Sequence, residues 1–207
     1  MVLGIDTCLG ACAAAVLKDG ELLTARSEPM TRGHQERLAP LVQAVMAQAG
    51  VAFADLSRVG VTIGPGSFTG LRVGLAFAKG LGAALEIPVS GVGTLAALAQ
   101  PVAGSVVAAI DAKRGQVYLQ AFADGAAVSA PDVLPVETAF ARVVEMAAAG
   151  APTLVGPGAA LLAPAAPGAQ VIETEAADPA AVARLATAGG AARPLYLRAP
   201  DARLPGA

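Results

Sequence analysis

Tryptophan is absent from this chain, histidine occurs once, cysteine twice, and aromatic residues make up 3% of its 207 positions. Each shortage removes a class of chemistry. A catalytic zinc or iron site draws on about three protein ligands. The single imidazole, His34, has Leu38 rather than a second histidine in the next helical turn. No metal site is expected, and His34 reads as a polar contact at a helix start. Cys8 and Cys12 form neither a Cys-x-x-Cys redox pair nor a disulfide framework, so they read as reduced, buried thiols of a cytosolic protein. The few aromatics offer no obvious platform for stacking bases or sugars. Charged residues are only 14%, the formal net charge is −2, and no basic run exists to neutralise phosphates. Gripping of nucleic acid by the isolated chain is therefore not expected. Met1 leads directly into "VLGIDT" without a basic segment and cleavage site, and no uncharged apolar stretch suits a bilayer. The expectation is a soluble, cytoplasmic protein.

What is present is apolar: 55% of residues are hydrophobic, enough for one sizeable core or two small ones sharing a cleft. "VLGID" reads as a buried strand, and "ACAAAVLKDGELLTAR" as two strands joined at Asp19-Gly20, which tolerates the positive φ angles of a tight hairpin. From His34, apolar residues at Leu38, Leu41, Val42, Val45, Met46 and Ala49 follow helical spacing, and Gly50 can stop the helix. "VGVTI" is a strand, Phe68 onward a helix, "IPVSGV" a strand and "TLAALAQ" a short helix. Hairpin-linked strands followed by alternating helices and strands predict a mixed sheet with helices packed on it, the ribonuclease-H-like layout.

The pattern then recurs. "IDTCLGACAAAVLKDG" and "IDAKRGQVYLQAFADG" share Ile-Asp, Gly and Asp-Gly at one fixed offset: Asp6/Asp111, Gly10/Gly115, Asp19/Asp124 and Gly20/Gly125. This predicts an internal duplication. The fold expected is α/β, two tandem ribonuclease-H-like halves of the actin, sugar-kinase and Hsp70 type, with the second half reduced. The halves are placed at 1–104 and 105–192, with a tail over 193–207 packing back on the first. In the second half a helix is expected from about Pro135 to Ala149, strands at "TLVG" and "QVI", and a helix capped by Asp178-Pro179. "GPGAALLAPAAPGAQ" reads as loop.

"TIGPGSFTGLRVGLAFAKG" has the glycine content of a phosphate loop but not its chemistry. Leu71 and Arg72 follow Gly70 where a Walker A loop needs lysine and a hydroxyl, and Thr69 breaks the dinucleotide fingerprint. A generic anion seat at a helix start and a tight turn that needs glycine remain, the turn being preferred. Ser67 lies outside the Gly-x-Ser-x-Gly elbow, and nothing arranges His34 with Asp6 or Asp111 behind it. Along the following helix Gly70, Gly74 and Ala78 form a small-residue stripe, flanked by Leu71, Leu75, Phe77 and Leu81. A helical glycine costs about 1 kcal/mol relative to alanine, which close approach of another helix would offset. Internal packing and a partner are both open readings of that stripe. Asp6, Thr7, Gly10 and Asp111 echo the magnesium and phosphate positions of actin-like ATPases, as a vestigial nucleotide cleft.

On "GIDT", "RGHQERLAPLV", "GPGSFTGLRVGLAFAKGL", "AIDAKRGQVY" and "PLYLR" the chain resembles the bacterial TsaB family. The resemblance touches both halves and the tail, and 126–192 carries nothing distinctive. It implies a non-catalytic subunit that pairs with the TsaD paralogue and the ATPase TsaE. Together these install threonylcarbamoyl on an adenosine beside the anticodon of tRNA, which is met only as part of the complex. TsaD carries a His-x-x-x-His metal motif whose second position is Leu38 here. The family interface uses the two helices of the first half, implying Gly70, Leu71, Gly74, Leu75, Phe77, Ala78, Leu81, Leu38 and Val42 as contact residues. A homodimer is implied for the free chain, ATP or ADP at the complex interface, and no metal or membrane. The alternatives are a small actin-like ATPase or kinase and, behind it, a zinc peptidase-like protein.

Overall fold

A computed structural model describes residues 1–186 and 189–198. The first sheet is built from β1 (Val2–Asp6), β2 (Ala11–Lys18), β3 (Glu21–Pro29), β4 (Arg58–Thr62) and β5 (Val89–Val92). Its order is β3-β2-β1-β4-β5, with β2 antiparallel to both neighbours and β1, β4 and β5 parallel. α1 (His34–Ala49) and α2 (Phe68–Leu85) pack on it. Leu38, Leu41, Val42, Val45 and Met46 of α1 are buried against Leu3, Ile5 and Val61 in one cluster. Gly50 ends α1 at φ 67°, and its N–H reaches the Ala47 and Met46 carbonyls, the left-handed cap that only glycine adopts without a Cβ penalty.

The second sheet repeats the plan. β6 (Ser105–Lys113), β7 (Gln116–Ala123), β8 (Ala126–Ala127), β10 (Thr153–Val155) and β11 (Val171–Ile172) lie in the order β8-β7-β6-β10-β11, and β9 (Asp132–Pro135) also pairs with β7. The molecule is thus two ribonuclease-H-like halves of the actin and sugar-kinase type. α4 (Val136–Ala147) and α5 (Ala159–Leu162) cover the second sheet, with Ala139, Val143 and Leu162 in its core. The proline-rich stretch expected as loop contains α5 and a 3₁₀ turn at Ala163–Ala165. Gly158 anchors it by donating to the Ala109 carbonyl at 3.0 Å.

The halves expected at 1–104 and 105–192 exchange their last helices. α3 (Thr94–Ala99) packs on β6 and β7, and Leu95 and Leu98 join Val106, Ala108 and Ile110. α6 (Pro179–Ala186) lies on β1, β2 and β4 of the first sheet. Glycine permits that contact: a Cβ on Gly60 would stand 2.6 Å from Ala186 Cβ, and one on Gly4 2.7 Å from the Ala183 nitrogen. Asp178 Oδ1 accepts the Ala180 N–H at 2.9 Å at the start of α6. The tail expected over 193–207 is described only to Arg198, and 199–207 lie outside the described residues. Ser90 bridges Ala191, and Leu195 donates to the Ile63 carbonyl at 2.8 Å, both on the first half. Arg198 then crosses to the second, donating to the Ala112 carbonyl at 2.9 Å and Gln116 Oε1 at 2.6 Å. No described helix is long and apolar enough to cross a membrane.

Candidate functional site

The glycine-rich segment 64–70 is clasped onto the turn after β1. Ser67 donates its backbone N–H to the Cys8 carbonyl at 2.7 Å, and Thr7 donates its hydroxyl to the Gly70 carbonyl at 2.7 Å. Ser67 Oγ caps α2 by accepting the Gly70 N–H at 3.2 Å. The Ser67 and Gly70 donors that a phosphate would seek are therefore committed within the chain. The turn reading holds, and Ser67 serves as a helix cap.

The carboxylates of the expected nucleotide cleft are separated by environment. Asp6 and Thr7 are fully buried. Asp6 accepts from the Cys8 N–H at 3.0 Å, the Thr62 hydroxyl at 2.7 Å and the Ala177 N–H at 3.4 Å. Burial outweighs those hydrogen bonds and holds its pKa above the ordinary carboxylate value. Asp111 lies at the wall of a cavity with its carboxylate 2.7 Å from Lys113 Nζ, and that partner pulls its pKa down. Gly10 is packed against Glu175, donating to its carbonyl at 2.8 Å. Both thiols are unpaired and buried, and burial pushes Cys8 up to about 12 and Cys12 up to about 11. Neither supplies a thiolate at neutral pH.

The expected partner-contact residues lie mainly inside the chain. Leu38, Val42, Gly70, Leu71, Gly74, Leu75 and Ala78 are buried against the first sheet, and only Phe77 and Leu81 are partly exposed. A Cβ on Gly70 or Gly74 would overlap Thr7, and one on Gly74 would also stand 3.4 Å from Val61 Cγ2. The stripe lets α2 settle on β1 and β4, which explains its glycines without a partner. A different glycine faces outward: Gly80 is exposed in the middle of α2, with nothing within 4 Å of where a Cβ would stand. Around it Ala76, Ala83 and Ala84 are exposed on α2, as are Ala39, Pro40 and Ala47 on α1.

His34 opens α1, is 6% exposed, and its Nε2 is buried without a hydrogen-bond partner. It lines a cavity of about 340 Å³ between the starts of α1 and α2. Among the described residues no group of three His, Cys, Asp or Glu side chains could hold a metal ion.

The largest cavity, about 870 Å³, opens between the halves and is lined by both hairpin turns, the start of α2 and the tail. At its mouth the Arg72 guanidinium lies 3.7 Å from the Phe68 ring centroid, and Tyr196 packs on Phe68 at 5.7 Å. Tyr118 lines the same space. Aromatic scarcity led the sequence reading to exclude a stacking platform, yet the fold gathers three aromatics from distant segments. Their only sequence signal is "PLYLR" in the tail, whose Tyr196 and Arg198 both reach this cleft.

The duplicated Ile-Asp hairpins and the exchanged helices define the class: a two-half protein of the actin and sugar-kinase type. The family model described as "TsaD: tRNA N6-adenosine threonylcarbamoyltransferase" matches residues 27–203. The solved YeaZ from Pseudomonas aeruginosa superposes with a TM-score of 0.80 at 31% identity, covering 95% of this chain and 99% of that one. An uncharacterized protein of Mycobacterium tuberculosis is 39% identical across 98% of this chain and 93% of its own length. The tRNA threonylcarbamoyladenosine biosynthesis protein TsaB of Escherichia coli is 40% identical over 122 residues, and the chain spans 52% of its length. The chain belongs to this family and, within it, to the TsaB proteins.

Proposed function

We propose that this chain is a non-catalytic subunit of the machinery that forms threonylcarbamoyladenosine in tRNA, acting by docking its TsaD paralogue. The observation that supports it best is the outer surface of α1 and α2. Ala39, Pro40 and Ala47 on one helix, and Ala76, Gly80, Ala83 and Ala84 on the other, are exposed, small and uncharged. Gly80 has no neighbour inside the chain to account for it, and a mid-helix glycine costs about 1 kcal/mol relative to alanine. A partner helix approaching closely over Gly80 would offset that cost. The residues that dock are thus the outward ones, with Phe77 and Leu81 at their border, while the inward stripe holds the scaffold rigid behind them.

The ATPase TsaE joins the pair in this reading, tRNA is met only by the assembled complex, ATP or ADP sits at the complex interface, and the free chain self-associates through the same face. Cytoplasmic residence follows from a tRNA substrate. The name of the E. coli relative supports the pathway, and the buried, hydrogen-bonded Asp6 supports a subunit that does not run phosphoryl transfer itself. The test is co-elution with the TsaD of the same source on a sizing column, comparing the native chain with Gly80→Arg. Binding by the native chain and its loss in a variant that keeps its circular dichroism are expected. Binding that survives Gly80→Arg would overturn this placement, and failure of the native chain to bind would overturn the docking role.

A further inference from the structure

The cleft between the halves is built for a ligand of its own. Its volume of about 870 Å³ lies in the range of small-molecule sites, which are mostly apolar with a few polar groups at defined points. Both tyrosines of the chain, Tyr118 and Tyr196, line it, as does Phe68. In a chain with 3% aromatic residues, this concentration is not what an inert groove needs. Phe68 is 56% exposed and Tyr196 50% exposed, so ring surface that folding normally removes from water is left bare.

The charge at the cleft also departs from the rest of the molecule. Arg72, Lys113 and Arg198 line it against one carboxylate, Asp111, in a chain whose net charge is −2. Arg72 is held in place twice: over the Phe68 ring, and by its Nε donating to the Tyr196 hydroxyl at 3.3 Å. Arg198 is fixed by the Ala112 carbonyl and Gln116 Oε1. Aromatic faces beside fixed guanidinium groups take planar bases by stacking and phosphates by charge.

The geometry points to a nucleotide-binding site here, with the base against Phe68 and Tyr196 and the phosphate near Arg72 and Lys113. Its recognition does not use magnesium. The two carboxylates of the repeat are unsuited to that, because Asp6 is buried under three hydrogen bonds and Asp111 is paired with Lys113. The site is independent of the docking face of α1 and α2. The shared chemistry is that of one nucleotide, whether free or within single-stranded RNA.

Because the chain has two tyrosines and both line the cavity, 3-fluorotyrosine labelling followed by fluorine NMR reads this site without background. Titration of the full chain with AMP is expected to shift both resonances saturably, with or without EDTA. Adenosine and ribose 5-phosphate should each bind roughly tenfold more weakly, since each lacks one half of the recognition. Phe68→Ala and Arg72→Ala, both at exposed positions, should each weaken AMP at least about fivefold. A single-stranded RNA pentamer binding more tightly than AMP assigns the site to RNA, and AMP binding without pentamer binding assigns it to a free nucleotide. Absence of a saturable shift with either probe overturns the site. So does a shift that both variants leave unchanged, or one that disappears with EDTA.

Discussion

Two copies of one plan stand side by side in this molecule, and they have been treated differently. The strand orders match position for position, and the first hairpin turns are nearly superposable in their angles. Asp19 and Gly20 adopt φ 51° and 88°, and Asp124 and Gly125 adopt 48° and 80°. Beyond the turns the copies diverge. β3 runs nine residues, whereas β8 runs two and β9 takes up the remaining pairing with β7. α2 has 18 residues and its counterpart α5 has four. The copies also differ in register: Ile5 faces Ala14, but Ile110 faces Tyr118 where the fixed offset would give Leu119. A bulge between Asp111 and Lys113 accompanies the shift and leaves Asp111 beside Lys113 at the cleft wall. The first half keeps the long helices and a broad outer surface, and the second is reduced to what closes the cleft.

The exchanged helices join the halves, and their contacts are unequal. α3 meets side chains, Val106, Ala108 and Ile110, while α6 rests on the bare backbone of Gly4 and Gly60. Gly60→Val is therefore the most damaging change on this comparison. Its first carbon would stand 2.6 Å from Ala186 Cβ and 2.9 Å from the Val182 carbonyl oxygen. A stability loss of at least about 3 kcal/mol is expected, read from urea unfolding midpoints. A loss below about 1 kcal/mol would mean that α6 does not sit where the first sheet needs it.

How much of this was legible beforehand follows the range of each interaction. The Asp-Gly turns, the helical period of α1 and the strand order depend on neighbours a few residues apart, and the structure agrees with them. The helix exchange depends on surfaces far apart in the chain, and no local pattern carries it. α5 went unread because Pro157, Pro164 and Pro167 flank a helix of only four residues. The stripe of α2 was visible, but periodicity alone does not say which side meets the sheet. The cleft aromatics come from positions 68, 118 and 196, so composition counted them as scarce while the fold brought them together.

The two glycines of α2 sharpen that point with one substitution each. Gly74→Ala would drive a methyl into Thr7, costing about 1–3 kcal/mol. Gly80→Ala enters open space and should stabilise the isolated chain by about 1 kcal/mol. Opposite signs in urea unfolding would establish that the first half keeps one face of α2 for itself and one free. Equal destabilisation would place both glycines inside the core.

The smallest expected effect separates the paired aspartates, which hold equivalent positions in the repeat. Burial raises the pKa of Asp6, so the folded state holds its proton more tightly than the unfolded chain. Its contribution to stability is fully present below the ordinary carboxylate value of about 4 and is lost as pH rises through the folded pKa. Asp111 behaves oppositely. Lys113 lowers its pKa, so its contribution is present above about pH 4 and is lost as pH falls through the depressed value. Because Asp111 and Lys113 are largely in water, solvent screening keeps that second effect small. Unfolding midpoints of the native chain, Asp6→Asn and Asp111→Asn across about pH 3–7 test both. The deficit of Asp6→Asn relative to the native chain should shrink as pH rises, and the small deficit of Asp111→Asn should grow. Slopes of the same sign would show that the copies place their carboxylates in like environments, leaving the cleft with no difference between its two walls.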